Sequence, residues 1–498
     1  MRRFKGTAVA AMSSMVLSPG VGQGSATVET GLLRQFRGAL YRCLTRRADE
    51  LFELTEAVLC AEGPVKTLVD LSLAPEHRRG YGALYDGLNC GHVDADRLRE
   101  HLARLPVPHL FGTRIVLAVD VSPWLRPDAA TCPDRMFCHV YGRGRGRSAD
   151  QRIPGWPYQV VAALESGPTS WTAILDAVRL DPGTDATAVT AAQLRAVVGR
   201  LREAGHWRAG DPAIMIVMDS GYDVARLAFV LADLPVHLMG RIRADRIMRG
   251  PTPPRSTDPR GGRPRRHGMV MALGEPGSWP APTTRTTTAT VRYGQAEAIS
   301  FDRMHPRLTH RGSWADHHGP LPIVEGTVIR LAVEHLPGQR EAKPLWLWSS
   351  MTDADAEQVT RCWQAYLRRF DLEHTFRFWK QTLGWTTPKI RSPQAGDRWT
   401  WLVIAAHTEL RLARHLAVDL RRPWEKPLPP ERLTPARVRR GFRHLRAKTG
   451  QPARAPKPSR PGPGRPPGIK NRHRATRHNV GKTIPRDTAG TEHQQIKG

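Results

Sequence analysis

Four side chains that can bind cations or phosphates recur at helical spacing between residues 366 and 380. They are a hydroxyl (Tyr366), a guanidinium (Arg369), a carboxylate (Glu373) and an ammonium (Lys380). At about 100° per residue, a single helix would place all four within a stripe about 60° wide. The carboxylate suits a metal cation and the other three suit a polyanion, so the stripe predicts a metal-assisted phosphate site. The alternative interpretation is the solvated charged face of an ordinary helix.

Two further carboxylates each follow an apolar run. Residues 115–119 lead into Asp120, and residues 213–218 lead into Asp219. Short apolar runs bounded by Asp, Gly or Pro are typical of buried strands. We therefore predict that both acids lie at the C-terminal ends of strands, where ligands and catalytic groups gather in α/β sheets. Taken singly, either Asp is equally compatible with a turn or a helix cap.

Asp120, Asp219 and Glu373 form what we call the acidic trio, and such a trio suits two-metal phosphoryl transfer. In that chemistry carboxylates hold two divalent cations, which activate the attacking oxygen and stabilise the leaving one. Hard oxygen ligands and a phosphodiester substrate favour Mg²⁺. Three other acids are expected to lie outside the site: Asp223, Asp302 and Asp371.

The elements that would position the trio alternate between strand and helix patterns. Strand-like runs at 136–141 and 158–164 follow Asp120 without an intervening helix, so we predict an antiparallel meander. A helix is predicted at 187–204, before the second acid. Ahead of the Tyr366–Lys380 stripe, Thr352 is predicted to be the N-cap of the helix that carries it.

Charge and composition narrow the class of partner. The chain has 498 residues and a net charge of +29, from 75 Lys+Arg against 46 Asp+Glu, which predicts nucleic acid as the partner. No apolar run reaches 18 residues, so we expect no membrane span and a cytoplasmic, nucleoid-associated location. The six cysteines are scattered, unlike a disulfide framework. Cys132, Cys138 and His139 lack the second ligand pair that structural zinc requires.

Three segments of the sequence resemble DDE-type insertion-sequence transposases. The first two are VLAVDVSPW around Asp120 and IMIVMDSGYD around Asp219. The third is the family's Tyr-Arg-Glu-Lys signature, which Tyr366, Arg369, Glu373 and Lys380 match with two, three and six residues between successive members. The resemblance covers roughly residues 111–415 and includes an insertion before the third acid.

The resemblance implies an RNase H-like catalytic domain and a role for each matched residue. The acidic trio would be the metal ligands for two Mg²⁺ ions, with Mn²⁺ able to substitute. Tyr366, Arg369 and Lys380 would contact the DNA backbone near the cleaved end. The implied reaction is cleavage at the transposon ends by a metal-activated water, then attack of the freed 3′-OH on target DNA. We expect a homodimer in the DNA complex.

The predicted fold is α/β: an RNase H-like mixed sheet flanked by helices, with an insertion before the third acidic residue and an all-helical N-terminal domain. The N-terminus could pass for a weak secretory signal, but a disordered leader or an early start codon is the favoured interpretation. The predicted segments are a disordered leader (1–30), a helical N-terminal domain with DNA binding as a candidate role (31–110), the first part of the catalytic core (111–244), an insertion with a basic loop (245–325), the second part of the core (326–415), a basic C-terminal helix (416–448) and a disordered basic tail (449–498).

Two other functions stay open at this point. One is a catalytically inactive DNA-binding protein derived from a transposase; the other is an RNA-binding or RNA-processing protein. Acids at all three positions of the trio favour the enzyme over the inactive form. The signature, rather than the charge, favours DNA over RNA.

Overall fold

In the computed structural model, which describes residues 21–141, 150–254, 265–336 and 342–457, an N-terminal layer comes first. Residues 21–30, predicted to belong to the leader, are helical instead, because α1 already begins at Val21. The all-helical N-terminal domain is not confirmed, since two short strands pair within it and its core is continuous with that of later helices. The elements are α1 (Val21–Cys43), β1 (Leu44–Arg46), α2 (Ala48–Cys60), α3 (Leu68–Ser72), α4 (Gly82–Cys90), β2 (His92–Val93) and α5 (Ala95–Arg104).

The central part of a large mixed sheet comes next. Its strands are β3 (Val116–Leu125), β4 (Met136–Tyr141), β5 (Asp150–Leu164), β6 (Thr172–Arg179), β7 (Ile214–Met218) and β8 (Val236–Ile242), with helices α6 (Ala186–Glu203) and α7 (Val224–Val230) between them. The strand order is β6-β5-β3-β7-β8, in which β5 runs antiparallel to both β3 and β6, and β3, β7 and β8 run parallel to one another. This arrangement is consistent with an RNase H-like domain. The predicted simple meander is wrong in its order: β5, not β4, lies beside β3, because the long β5 pairs with β3, β4 and β6.

The sheet continues beyond β8 without a break. The remaining strands are β9 (Ile247–Arg249), β10 (Val270–Ala272), β11 (Thr284–Thr290), β12 (Gly294–Pro306), β13 (Gly326–Val333) and β14 (Leu345–Ser349), with 3-10 turns at Pro276–Ser278 and Gly312–Trp314. β14 pairs with β8, β13 with β14, and β12 with β13, so twelve strands of the described residues form one sheet. The chain between β8 and β14 is therefore an extension of the core sheet. The predicted basic loop falls largely on residues 255–264, outside the described residues.

The C-terminal third is helical: α8 (Ala356–Arg368), α9 (Phe370–Phe378), a π-helical turn (Trp379–Leu383), α10 (Pro393–Leu412), a 3-10 turn (Pro430–Arg432) and α11 (Pro435–Thr449). The single helix predicted over residues 366–380 is thus three helical segments, although Arg369 between α8 and α9 keeps helical angles (φ −53°, ψ −31°). The predicted N-cap Thr352 is also wrong. Asp355 caps α8 instead, in a reciprocal capping box with Gln358.

Helices cover both faces of the sheet. α6 and α7 pack on one face, and α8, α9 and α10 pack on the other. The N-terminal layer and α11 pack in turn against α10, forming an outer layer on that side. Among the described residues, none of the helices is both long and apolar enough to cross a membrane.

The first residues of the predicted disordered tail contact the N-terminal layer. The Gly450 carbonyl accepts a hydrogen bond from Arg37 (3.1 Å), and the carbonyls of Ala453 and Arg454 each accept one from Arg78 (3.1 Å). Residues 450–454 therefore belong to the folded part of the chain. The rest of the predicted tail, from residue 458, lies outside the described residues.

Candidate active site

The sheet register brings Asp120 and Asp219 to the same level. β3 and β7 run parallel with Val119 opposite Met218, so the two acids are the next residues on neighbouring strands. Such strands lie about 4.8 Å apart. Val116 and Ala118 of β3 pack into the core beneath α9, and side chains alternate along a strand, so Asp120 also faces α9.

The strand-end prediction is confirmed for Asp219 and wrong for Asp120. Asp219 directly follows β7, whereas Asp120 lies in the middle of β3, which continues to Leu125. Pro123 had suggested an early end to the strand. It is tolerated because β3, beyond Val119, pairs with β5 alone and borders no strand on its other side.

Arg369 links the acid on the sheet to the acid on the helix. Its Nη1 atom donates to Asp120 Oδ2 (3.0 Å) and its Nη2 atom donates to Glu373 Oε1 (2.8 Å). The Arg369 side chain is buried, while that of Glu373, one turn further along the helix, is 45% exposed. One guanidinium thus bridges two members of the acidic trio and leaves one of them open to solvent.

Tyr366 connects the third acid to the same group. Its hydroxyl donates to Asp219 Oδ1 (3.1 Å), and the Arg369 guanidinium lies 5.5 Å from the centre of its ring. Burial raises the pKa of the Tyr366 phenol above its ordinary range, so the hydroxyl stays a neutral donor. Asp120, Asp219, Glu373, Tyr366 and Arg369 are therefore joined by direct contacts.

The environment changes the proton affinity of Asp120. Burial raises the pKa of its carboxyl to about 6, partly offset by Arg369 and by a hydrogen bond from the Val121 amide (2.8 Å). Negative charge on Glu373 and Asp219 raises it further. At neutral pH Asp120 is therefore mostly ionised, but protons and cations compete for it more closely than for an exposed aspartate.

Lys380, the last member of the signature, lies at the edge of this group. It is in the π-helical turn, with its ammonium 5.7 Å from the centre of the Trp385 ring. Burial lowers its pKa to about 8, against the raising effects of Cys138 and Asp120. Lys380 thus remains largely a cation at neutral pH, within the electrostatic reach of Asp120.

The three acids expected to lie elsewhere have structural partners of their own. Asp223 accepts from the Arg226 amide as the N-cap of α7 (3.0 Å), and Asp302 accepts from the Thr327 hydroxyl (2.9 Å). Asp371 forms an ion pair with Arg368 (2.8 Å), which turns it away from Arg369. Each of these partnerships fixes a local turn or helix end.

Tyr222 is a further residue of the site that the sequence analysis did not single out. Its hydroxyl is buried and has no hydrogen-bond partner in the described part of the chain. Burial, together with charge on Asp120 and Asp219, raises its pKa well above the ordinary value, while Arg369 opposes that rise. The available signal was its place three residues after Asp219, in a tight turn whose Tyr222 amide donates to the Asp219 carbonyl (3.3 Å).

The acids have the donor chemistry for divalent cations, but their arrangement is held by Arg369. Carboxylate oxygens are the ligands that Mg²⁺ prefers. Among the described residues, however, no group of three or more His, Cys, Asp or Glu side chains is arranged to hold a metal ion. Arg369 lies between Asp120 and Glu373, and its guanidinium supplies positive charge to both carboxylates. By donor type the three carboxylates suit a divalent cation.

Comparison with known proteins identifies a family whose members resemble this chain. Residues 39–307, more than half of the chain, match the family described as DDE superfamily endonuclease. The matched range contains Asp120 and Asp219 and ends before Glu373. No curated protein matches the chain.

Proposed function

The chain belongs to the DDE superfamily of endonucleases, and we propose that it is a DNA transposase that cleaves transposon ends and joins them to target DNA. The observation that carries the proposal is the Arg369 bridge. It ties Asp120, within the matched range, to Glu373, outside it, and so supports a third acid on α9. This is the position that the Tyr-Arg-Glu-Lys signature predicts.

Asp120, Asp219 and Glu373 would hold the divalent cations, Mg²⁺ or Mn²⁺ by donor type. When bound, two such ions activate the attacking oxygen and stabilise the leaving oxygen of a phosphodiester. Tyr366 holds Asp219 by its hydroxyl and so limits the rotation of one ligand. The opening at Glu373, with its half-exposed side chain, gives the phosphodiester access to the acids.

Arg369 and Lys380 would act on the substrate. In this structure Arg369 neutralises two carboxylates, so it is free to bind a phosphate only after cations replace it there. Lys380 has no carboxylate within ion-pair distance in the described residues, so its charge is available to the backbone beside the cleaved bond. Preorganised cations of this kind stabilise negative charge that develops during attack.

Cleavage assays on DNA that carries the element's own ends test the proposal. Wild-type protein with Mg²⁺ should nick the ends and yield joined products in the presence of target DNA. Asp120→Ala, Asp219→Ala and Glu373→Ala should each reduce cleavage to background while DNA binding persists, because affinity comes mainly from contacts to phosphates.

Two exposed acids provide matched controls. Asp96→Ala and Glu357→Ala remove carboxylates that are 90% and 71% exposed and that pair with Arg99 and Arg361, and these variants should cleave like wild type. Cleavage by Glu373→Ala at the wild-type rate would contradict the site. DNA binding without cleavage by wild-type protein, on any ends tested, would favour the inactive DNA-binding derivative instead.

A further inference from the structure

A basic groove lies between α9 and α11, next to the candidate active site. It consists of two adjoining cavities of about 450 and 580 Å³ that share Thr382, Thr434 and Ala436 in their walls. The loop between α10 and α11 contributes to both cavities. We call this feature the α9–α11 groove.

The walls of the groove carry a large excess of positive charge. In the described part of the chain, seven arginines line the two cavities, against two acids, Glu62 and Glu425. The acids are already paired, Glu425 with Arg440 (2.7 Å) and Glu62 with Arg443 (3.4 Å). Arg437 is also paired with Asp419 (2.5 Å) and Arg443 with Glu76 (3.1 Å). Among the described residues, the lining arginines without a carboxylate partner are Arg377, Arg422, Arg432 and Arg439.

Two of these cations have no protein partner. Arg377 lies on α9, and Arg432 ends the 3-10 turn that precedes α11. Both are exposed, and neither side chain makes a hydrogen bond or ion pair to the described residues. Two exposed arginines that line one cavity are suited to a polyanion that contacts both of them.

One helix, α9, carries both Glu373 of the acidic trio and a wall of the groove, although no member of the trio lines either cavity. Arg377 follows Glu373 by one turn of α9, about 6 Å along the helix axis and on the same side. His374, between them in sequence, also lines the first cavity. If a phosphodiester of a DNA strand lies at Glu373, Arg377 is therefore about one nucleotide away along that DNA strand.

An exposed aromatic residue stands on the same loop. Trp424 is 75% exposed, and the Arg422 guanidinium lies 5.6 Å from the centre of its ring. Lys426 beside it is also exposed. Aromatic rings among cations are typical of surfaces that bind unpaired bases, because every base offers a π-face for stacking.

We propose that the α9–α11 groove binds the DNA strand that flanks the cleaved phosphodiester, with Arg377 and Arg432 on its phosphates and Trp424 stacked on an unpaired base. This inference rests on the proposed function for the identity of the nucleic acid. Beyond the proposed function, the α9–α11 groove would hold the DNA strand next to the acidic trio, and Trp424 would contact a base that is no longer paired.

Fluorescence anisotropy on the full chain tests the groove. The probe is a labelled DNA duplex of mixed sequence, used with and without a single-stranded extension, over a range of salt concentrations. The Arg377→Gln, Arg432→Gln double variant should lower the slope of log affinity against log salt by about 1.4 to 1.8, since each phosphate contact contributes about 0.7 to 0.9. Trp424→Ala should keep the slope but lose about tenfold in affinity for the extended duplex and little for the blunt one.

Arg208→Gln provides the matched control, because Arg208 is exposed beyond α6, on the opposite face of the sheet. For Arg208→Gln, the slope of log affinity against log salt should stay at the wild-type value. A double variant with wild-type slope and affinity would overturn the phosphate contacts, and wild-type affinity of Trp424→Ala for the extended duplex would overturn the stacking.

Cleavage is measured separately, so that the groove and the enzyme can fail independently. Loss of cleavage in Asp120→Ala with an unchanged slope in the double variant rejects the groove alone. A reduced slope without any cleavage by wild type rejects the enzyme but keeps the groove.

Discussion

Two arginines in this protein each lie between carboxylates, and they differ in solvent exposure. Arg37 donates to Glu56 and Glu409 at 2.6 Å each, and all three side chains are at most 1% exposed. Arg369 bridges Asp120 and Glu373 at similar distances, but Glu373 is 45% exposed. The same pairing chemistry is thus enclosed at one centre and open at the other.

The charges balance at the enclosed centre and not at the open one. Arg446 also contacts Glu56, so two arginines face two glutamates where α1, α2, α10 and α11 meet. At the open centre one arginine faces the three acids of the trio. A buried centre must be neutral to be stable, whereas an open one can keep an acidic excess for a ligand from outside. The two arginines thus differ in their solvent exposure and in the charge balance around them.

The largest effect should come from removing each arginine in turn. Arg37→Met leaves two buried carboxylates without their main partner, and we expect a loss of about 3–5 kcal/mol in the free energy of unfolding. Arg369→Met should cost less, and Mg²⁺ should restore its stability but not that of Arg37→Met. Urea unfolding with and without Mg²⁺ measures both. Equal losses, or equal rescue by Mg²⁺, would remove the distinction between the two centres.

A buried histidine on α10 tests whether the enclosed region excludes charge. His407 is fully buried, with a ring nitrogen 3.2 Å from the Thr172 carbonyl, and burial lowers its pKa to about 4. In the unfolded state the His407 imidazole takes up a proton near pH 6.5, whereas in the folded state it stays neutral. The stabilising contribution of the buried, neutral His407 is therefore fully present above pH 6.5. It should be lost as pH falls towards 4, by about 3 kcal/mol.

The measurement is urea unfolding of wild type and His407→Gln between pH 7 and 4. The variant should show a shallower loss of stability over this window. His444→Gln, which changes an exposed histidine on α11, should follow wild type. A wild-type pH slope in His407→Gln would mean that water reaches α10.

The open centre should gain metal affinity when its own cation is removed. Arg369→Gln leaves Asp120 and Glu373 unbridged, so Mn²⁺ binding without DNA should tighten by about tenfold, or about 1.4 kcal/mol. Electron paramagnetic resonance of free Mn²⁺ measures this independently of cleavage. Arg377→Gln removes an equal charge from the same helix without touching the trio and should bind Mn²⁺ almost as wild type does. Unchanged affinity in Arg369→Gln would show that the guanidinium does not compete with metal.

The smallest effect concerns the chain that closes the enclosed centre. Truncation after Thr449 removes the carbonyls that accept from Arg37 and Arg78, and should cost about 1 kcal/mol of stability. Truncation after Lys457 should cost nothing in stability, but should reduce the salt dependence of DNA binding by removing the basic tail. Equal melting temperatures for the two truncations would show that residues 450–454 add no stability.

The sequence predicted which acids lie in one group, and it did not predict how they are held together. The apolar runs before Asp120 and Asp219, and the spacing of Tyr366, Arg369 and Glu373, depend on local order, so they could be recognised without the fold. The length of β3 could not, because its extension past Asp120 is stabilised by β5, some forty residues later. Strand pairing at that distance overrides the local signal from Pro123.

Non-local packing also hid three other features. The helix over residues 366–380 is divided at Arg369, which pairs with Asp120, and at Trp379, which packs against Trp385 and His407. Sequence periodicity does not record these contacts. Tyr222 belongs to the site only because it is buried next to the acids. Its position in the sequence matches no motif that would predict this. Arg369 as a bridge between acids was likewise unforeseen, since spacing places charges on a face but does not say which of them pair.

The pairing of β8 with β14 has a consequence for how the chain can be rebuilt. Ile242 lies opposite Trp346, so the polypeptide leaves the core and returns to it at adjacent points about 5 Å apart. The hundred or so residues between them form a cassette that a short turn could replace in principle. None of the acidic trio lies on the cassette, and α8 is the helix that would lose packing, from β11, β12 and β13. Exchange of the whole cassette would therefore leave the strands that carry Asp120 and Asp219 paired as they are, and would remove the apolar contacts that β12 and β13 make with the core.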